Sequence, residues 1–233
     1  MARRLGLIVS NKTFLDRWRH IERPGSHRDA VTMQAQLVKF GFVPMMEGDT
    51  TMVHKDVTRD DLLELMKRAA GQTNVDLFFI MILSYGKDGD VVCHDSEFLE
   101  IDRILELFHD SSSGKKMVFF MSDYHEDTCT PRIPIQTFST TKFPPETVLQ
   151  FSPVTGFLGW LRKRNGRVNR GLSYFVESVC KAINKESSSE LRIFFERVHE
   201  EYAKILVEEE IEQCEDFLMP EVRSSLTEEP TYP

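Results

Sequence analysis

Apolar residues along this chain fall into short unbroken runs, separated by stretches in which they recur at helical spacing. Leu5–Val9 reads as a buried strand closed by Ser10 and Asn11. Ala30, Met33, Leu37 and Phe40 share one helix face, and Gly41 stands where a C-cap would fall. Phe42–Met46 is a second strand. Thr58 and Asp61 have the form of a capping box, which Leu62, Leu65, Met66 and Ala69 continue as a helical stripe. Val75–Leu83 has no alternation, as expected of a central strand covered on both faces. Ile101, Ile104, Leu105 and Phe108 give a third helix, stopped by Ser111–Gly114, and Met117–Met121 a further strand. The order β-α-β-α-β-α-β predicts an α/β architecture, a mostly parallel sheet with helices on both faces.

The pattern lapses from Asp123 to Pro145, where prolines, serines and threonines without periodicity read as a surface loop or linker. Beyond it come a strand at Val148–Phe151, a basic loop, and a helix with Val176, Val179, Cys180 and Ile183 inward. A longer helix follows on Phe194, Val198, Tyr202, Ile205 and Leu206. Glu221–Leu226, after Pro220, is a late strand.

Composition narrows the function classes. The 233 residues carry 29 basic and 37 acidic side chains, a net charge of −8, which argues against general nucleic-acid binding. The longest uncharged apolar run, Leu77–Gly86, is too short to span a bilayer, and the N-terminus lacks a signal-peptide core. Four cysteines (Cys93, Cys129, Cys180, Cys214) match no zinc spacing and are too few for a disulfide framework. A cytoplasmic protein of a reducing compartment is expected, with no metal, no cofactor, no nucleic-acid partner and no membrane.

In such sheets ligands bind at the carboxyl ends of strands. Leu83-Ser84-Tyr85-Gly86 and Phe120-Met121-Ser122-Asp123 stand at two of those ends, and around them several pieces fall in order. Leu7-Ile8-Val9-Ser10-Asn11 is followed by Arg23-Pro24-Gly25-Ser26-His27-Arg28-Asp29 and then Phe40-Gly41-Phe42. Asp76-Leu77-Phe78 leads to Ser84-Tyr85-Gly86; Phe157-Leu158-Gly159-Trp160 and the stretch Met219–Thr227 close the series. In this order the pieces resemble the protease domain of the caspase family over nearly the whole length. The resemblance implies a three-layer caspase-like fold with a mostly parallel central sheet of about six strands. It implies one caspase-like domain over 1–233, with 1–123 large-subunit-like, 124–145 a linker and 146–233 small-subunit-like, and no prodomain.

The departures from the family pattern are chemical. Caspases use a histidine base in Ser-His-Gly and a cysteine nucleophile in Gln-Ala-Cys. Here the base position is Tyr85, and the Gln-Ala-Cys positions are Met121, Ser122 and Asp123. A phenol with an ordinary pKa of about 10 is a poor base at neutral pH. An aspartate lacks the intrinsic reactivity of a thiolate. Gly86 could still lend an amide to an oxyanion, but both dyad positions are substituted, so the expectation is a pseudoenzyme with no catalytic residues. Cys129 near His125 lies in the linker, which cannot preorganise a new pair; Cys93 reads as an edge position after a turn and Cys180 as core.

The substrate pocket is a remnant. The resemblance matches Arg23 to one of two arginines that grip an acidic side chain, while Met121 replaces the glutamine and Leu161 the second arginine, beside Trp160. Asp123 could pair with Arg23 as a mimic of the substrate carboxylate. Two charge runs, Arg162–Arg170 and Glu208–Asp216, read as solvated faces. Asp127 is the only aspartate of the linker after Tyr124, so the chain is expected to work uncut.

The family dimerises through its last strand, here Glu221, Val222, Arg223, Ser224, Ser225 and Leu226. Arg223 opposite its own copy disfavours a homodimer. The resulting expectation is a decoy caspase that associates with an active caspase through this strand and regulates apoptosis, activating rather than inhibiting. A dominant-negative inhibitor and a protease with a non-standard nucleophile are the alternatives.

Overall fold

The computed structural model describes residues 3–17, 20, 22–87, 89–109, 114–123, 144–152, 162–164, 167–169, 172–185, 191–208 and 221–226. Trp160, Leu161, Cys129, Cys214, linker residues 124–143 with Asp127, and the acidic run from 209 to 216 lie outside the described residues.

The first half runs β1 (Arg4–Ser10), α1 (Ser26–Lys39), β2 (Phe42–Pro44), β3 (Val53–Lys55), α2 (Arg59–Ala70), β4 (Leu77–Lys87), β5 (Asp90–Val92), β6 (Phe98–Glu100), α3 (Ile101–Glu106) and β7 (Lys115–Asp123). The second half runs β8 (Thr147–Ser152), β9 (Arg162–Arg164), β10 (Arg167–Asn169), α4 (Tyr174–Lys185), α5 (Leu191–Glu208) and β11 (Glu221–Ser224). The main sheet has the order β11-β8-β7-β4-β1-β2, six strands that are parallel except for β11, which pairs antiparallel with β8. The expected mostly parallel α/β architecture is therefore present.

The unbroken apolar run at 77–83 becomes the central strand because both of its faces are covered. Leu77, Phe79, Met81 and Leu83 pack with α1, α4 and α5, through residues such as Met33, Val179 and Val198. Phe78, Ile80 and Ile82 pack on the opposite face with α2 and α3, through Leu62, Met66 and Ile104. Two-faced burial of a period-two strand is what fixes its place between helix layers.

Local signals hold these elements in place. Thr58 has extended backbone angles and its hydroxyl accepts the Asp61 amide at 3.3 Å, capping α2. Acidic Asp60 and Asp61 in its first turn and Lys67 and Arg68 in its last complement the helix dipole. Gly41, with φ of +76°, lets the chain leave α1 straight into β2. Gly114 has φ of +55°, and a Cβ there would run into the Val75 carbonyl, so glycine is required where the chain enters β7.

The elements differ from expectation in several places, among them the second strand, which ends at Pro44 and not Met46. β4 does not stop at Leu83 but continues to Lys87, because β5 pairs antiparallel with its end, Gly86 opposite Val91. The small hairpin β5–β6 was not foreseen, since three-residue strands carry too little pattern. The basic loop contains a hairpin, β9 with β10, with Arg164 in register with Arg167. The last strand ends at Ser224, so Ser225 and Leu226 lie just past it. Among the described residues no helix is long and apolar enough to cross a membrane.

Candidate functional site

The carboxyl ends of β1, β4 and β7 lie side by side. Ser10 is in register with Leu83, Leu83 with Met121, Ser84 with Ser122, and Tyr85 with Asp123. The two positions singled out in the sequence, 85 and 123, are thus neighbours across adjacent parallel strands, about 4.8 Å apart by ordinary strand spacing. Met121 is also in register with Ser152 of β8.

Asn11 ties this end of the sheet together. Its side-chain amide donates to the Ser84 hydroxyl at 3.2 Å and the Val92 carbonyl at 3.3 Å, and its oxygen accepts the Val57 amide at 2.8 Å. The Ser84 hydroxyl donates in turn to the Val92 carbonyl. One fully buried side chain therefore joins β1, β4, β5 and the approach to α2. Sequence reading marked Asn11 only as a strand end, because its partners are 46 to 81 residues away.

Arg23, on the β1–α1 connection, is 1% exposed. It is therefore not a solvated surface-loop arginine. Its Nη1 donates to the Asn11 carbonyl at 3.3 Å and the Ser26 hydroxyl at 3.1 Å. The Tyr85 ring lies over the guanidinium, 5.5 Å from Cζ to the ring centroid, within the range of a cation–π contact.

Tyr85 is itself 4% exposed. Its ring stands 5.1 Å from Phe14 and 5.6 Å from His20, and those two are 5.5 Å apart, so three tilted rings form a closed group. Tyr85, Phe14 and Val92 make a small core of their own, apart from the two main layers. Phe14 and His20 went unnoticed in the sequence, since the segment between β1 and α1 has no periodicity to mark which residues turn inward.

Behind Arg23 a polar chain leads outward. Ser26 and Ser10 hydroxyls are 2.7 Å apart, and Ser10 lies 3.0 Å from His27 Nδ1. His27 Nε2 is 3.5 Å from Asp56. Burial holds His27 below its ordinary pKa, offset only in part by Asp56. For Asp56 burial acts upward, but the Thr13 and Lys12 amides at 2.9 and 2.7 Å more than offset it, leaving the carboxyl below its ordinary value. Ser10 is fully buried, so this Ser–His–Asp succession has no route to a substrate and serves as a strut.

The described cysteines supply no nucleophile. Cys93 lies in the core next to α2 and α3, not at an exposed edge, and burial pushes its thiol up to about 12. Cys180 lies in the other layer, with its thiol likewise pushed up by burial to about 12. A thiol in that range forms almost no thiolate at neutral pH. β11, the expected dimer strand, occupies the sheet edge three strands from β4, with Val222 in register with Gln150 and Arg223 with Leu149.

Comparison with known proteins agrees with this architecture. A family model described as the caspase domain matches residues 3–230. A search among curated proteins gave no match. A solved structure, "structure of pro-sf-caspase-1", superposes with a TM-score of 0.75 at 16% identity, over 99% of this chain and 94% of that chain. At that identity the likeness concerns the fold, and the family match concerns descent. With 228 of 233 positions inside the family match, this chain belongs to the caspase-domain family.

Proposed function

We propose that this caspase-domain chain is noncatalytic and regulates an active caspase by direct association. The observation that carries the reading is Tyr85: at the position matched to the family's histidine base stands a phenol, 4% exposed, packed between Phe14 and His20 and over Arg23. A side chain packed this way is neither a base near neutral pH nor free to swing toward a substrate. Asp123, matched to the nucleophile, adds a carboxylate in place of a thiolate. Both substitutions remove the attacking pair while leaving the sheet that carries it.

The surface for association is β11. Its outer edge is unpaired among the described residues, and an unpaired strand edge is a template for strand addition. Glu221, Arg223 and Ser224 make this edge polar, and Arg223 against its own copy brings like charges together, which favours a partner of different sequence. Supplying the scaffold of a dimer would hold a partner's active loops in place, so the expected sign is activation of an apoptotic caspase in the cytoplasm.

The test mixes the purified chain with active caspases and follows mass by size-exclusion light scattering and cleavage of a fluorogenic Asp-peptide. The expected result is no turnover by the chain alone, a heterodimer mass, and a raised rate. Lowered rates with the same mass would identify an inhibitor. Turnover by the chain alone that survives thiol alkylation would replace the reading with a protease of non-standard nucleophile.

A further inference from the structure

The sheet has a second edge, opposite β11, made by β2 and β3, which follow one another along β1. β3 pairs through alternate residues: the Met52 carbonyl accepts the Ile8 amide at 2.8 Å, and the Asp56 amide donates to the Ser10 carbonyl at 3.0 Å. The main-chain groups of Val53 and Lys55 therefore point away from β1. The Thr51 hydroxyl accepts the Val53 amide at 3.0 Å. The Val53 carbonyl and both main-chain groups of Lys55 are left without a partner among the described residues. β2 is less open, since Pro44 stands at an outward position and has no N–H.

We propose that the β3 edge, with α2 beside it, is a docking groove for an extended segment of a partner protein that carries an acidic and a basic side chain two residues apart. This surface is separate from β11 and does not rest on the noncatalytic reading.

A groove of about 480 Å³ lies between β3 and α2, with His54, Asp61, Glu64, Leu65 and Arg68 in its lining. A strand edge beside a helix lets an added strand gain main-chain hydrogen bonds while the helix reads its alternate side chains. Two of the charges nearby are already engaged. The Thr58 hydroxyl donates to Asp61 at 2.6 Å, and Asp49 lies 3.7 Å from His54 Nε2. Glu64 and Arg68 are exposed and form no hydrogen bond or ion pair among the described residues. Four residues of helix separate them, about 6 Å along its axis. Alternate residues of a strand share a face and lie about 6.7 Å apart. The two spacings match, so a segment laid along β3 brings an acidic side chain to Arg68 and a basic one to Glu64, their stems over Leu65. A segment of one charge sign would be repelled at one of the two positions. Lys55 on so short an edge disfavours pairing with a second copy.

The experiment titrates the full chain, followed by amide NMR, with three peptides: acetyl-Thr-Glu-Val-Lys-Thr-amide, the reverse acetyl-Thr-Lys-Val-Glu-Thr-amide, and a control with glutamine at both charged positions. One charged peptide is expected to bind at least tenfold more tightly than the control, with saturable shifts at the Lys55 and Leu65 amides. Which one binds reports the direction of the added strand. Exchanging the charges, Glu64→Arg with Arg68→Glu, is expected to transfer the preference to the reverse peptide. N-methylation of alternate peptide amides is expected to abolish binding in one of its two phases. If the exchanged chain does not fold, Glu64→Gln and Arg68→Gln carry the same test, each expected to lower affinity toward that of the control. No binding above the control, shifts confined to β11, a preference unmoved by the charge changes, or binding that survives methylation in both phases would each overturn the groove.

Discussion

Replacing Asp29 by asparagine should change how stability depends on pH. Asp29 is 1% exposed in α1, and its carboxylate accepts the Ser173 amide at 3.2 and 3.4 Å, tying α1 to the start of α4. Burial raises its pKa from 3.8 to about 6, and the Ser173 hydrogen bonds, Arg23 and Arg28 pull back less strongly. Between those two values the folded chain holds a proton that the unfolded chain has released, so Asp29 adds stability as pH falls from about 6 toward 4. A rise of about two units corresponds to about 3 kcal/mol at the limit. Asparagine keeps the acceptor for Ser173 and carries no charge. The Asp29→Asn chain should therefore gain about 2–3 kcal/mol on wild type at pH 7.5 relative to pH 4. His27 and His54, both lowered mainly by burial, move stability the opposite way as pH falls below 6.5, but they are common to both proteins and cancel in the difference. Urea unfolding followed by fluorescence across that pH range reads it directly. A difference that stays flat with pH would mean that Arg23 and Ser173 fully offset the burial of the carboxylate, and the reasoning would fail.

Three further outcomes follow from the same physics. Gln150 is fully buried on β8, and among the described residues neither of its side-chain heteroatoms has a hydrogen-bond partner, so Gln150→Met should raise stability by about 1–3 kcal/mol, seen as a higher urea midpoint; a lower midpoint would reveal a polar partner. Asn11→Leu should lose about 1–3 kcal/mol, since it strands the Val57 amide, and hydrogen exchange at that amide should quicken before global unfolding; unchanged exchange would refute the clamp. Cys93 and Cys180 should resist iodoacetamide at pH 8 in the folded chain and react in urea, as read by peptide mass spectrometry; labelling of the folded chain would contradict their raised thiol pKa values.

The parts of the fold that could be read in advance are those whose signal is local. The apolar run at 77–83, the Thr58 cap and the stripe on α4 each repeat one physical requirement over several residues, and each became the element expected. The hairpin β5–β6 repeats nothing, and its place depends on the end of β4, which it pairs. The candidate site depends on remote pairing in the same way. That 85 and 123 are neighbours depends on β4 and β7 being adjacent and in register, which the order of elements alone does not state. That Tyr85 would turn inward against Phe14 and His20, 71 and 65 positions earlier in the chain, depends on contacts that no spacing encodes.

Arg23 shows why a preserved motif residue is weak evidence for a preserved activity. Its guanidinium satisfies the Asn11 carbonyl and the Ser26 hydroxyl and lies under the Tyr85 ring, so it serves the packing of the β1–α1 connection whether or not any ligand arrives. Loss of Arg23 would strand those acceptors in a buried site, and the chain would be destabilised for structural reasons alone. Tyr85 has the converse character. Its ring fills the space between the Arg23 guanidinium, Phe14 and His20, so a smaller side chain at 85 would give up part of that packing. On the proposed noncatalytic reading, Tyr85→His alone should leave the chain without peptidase activity, because position 123 still carries an aspartate and not a thiol. A fluorogenic Asp-peptide assay on the Tyr85→His chain checks this, and turnover without a cysteine at 123 would break the argument.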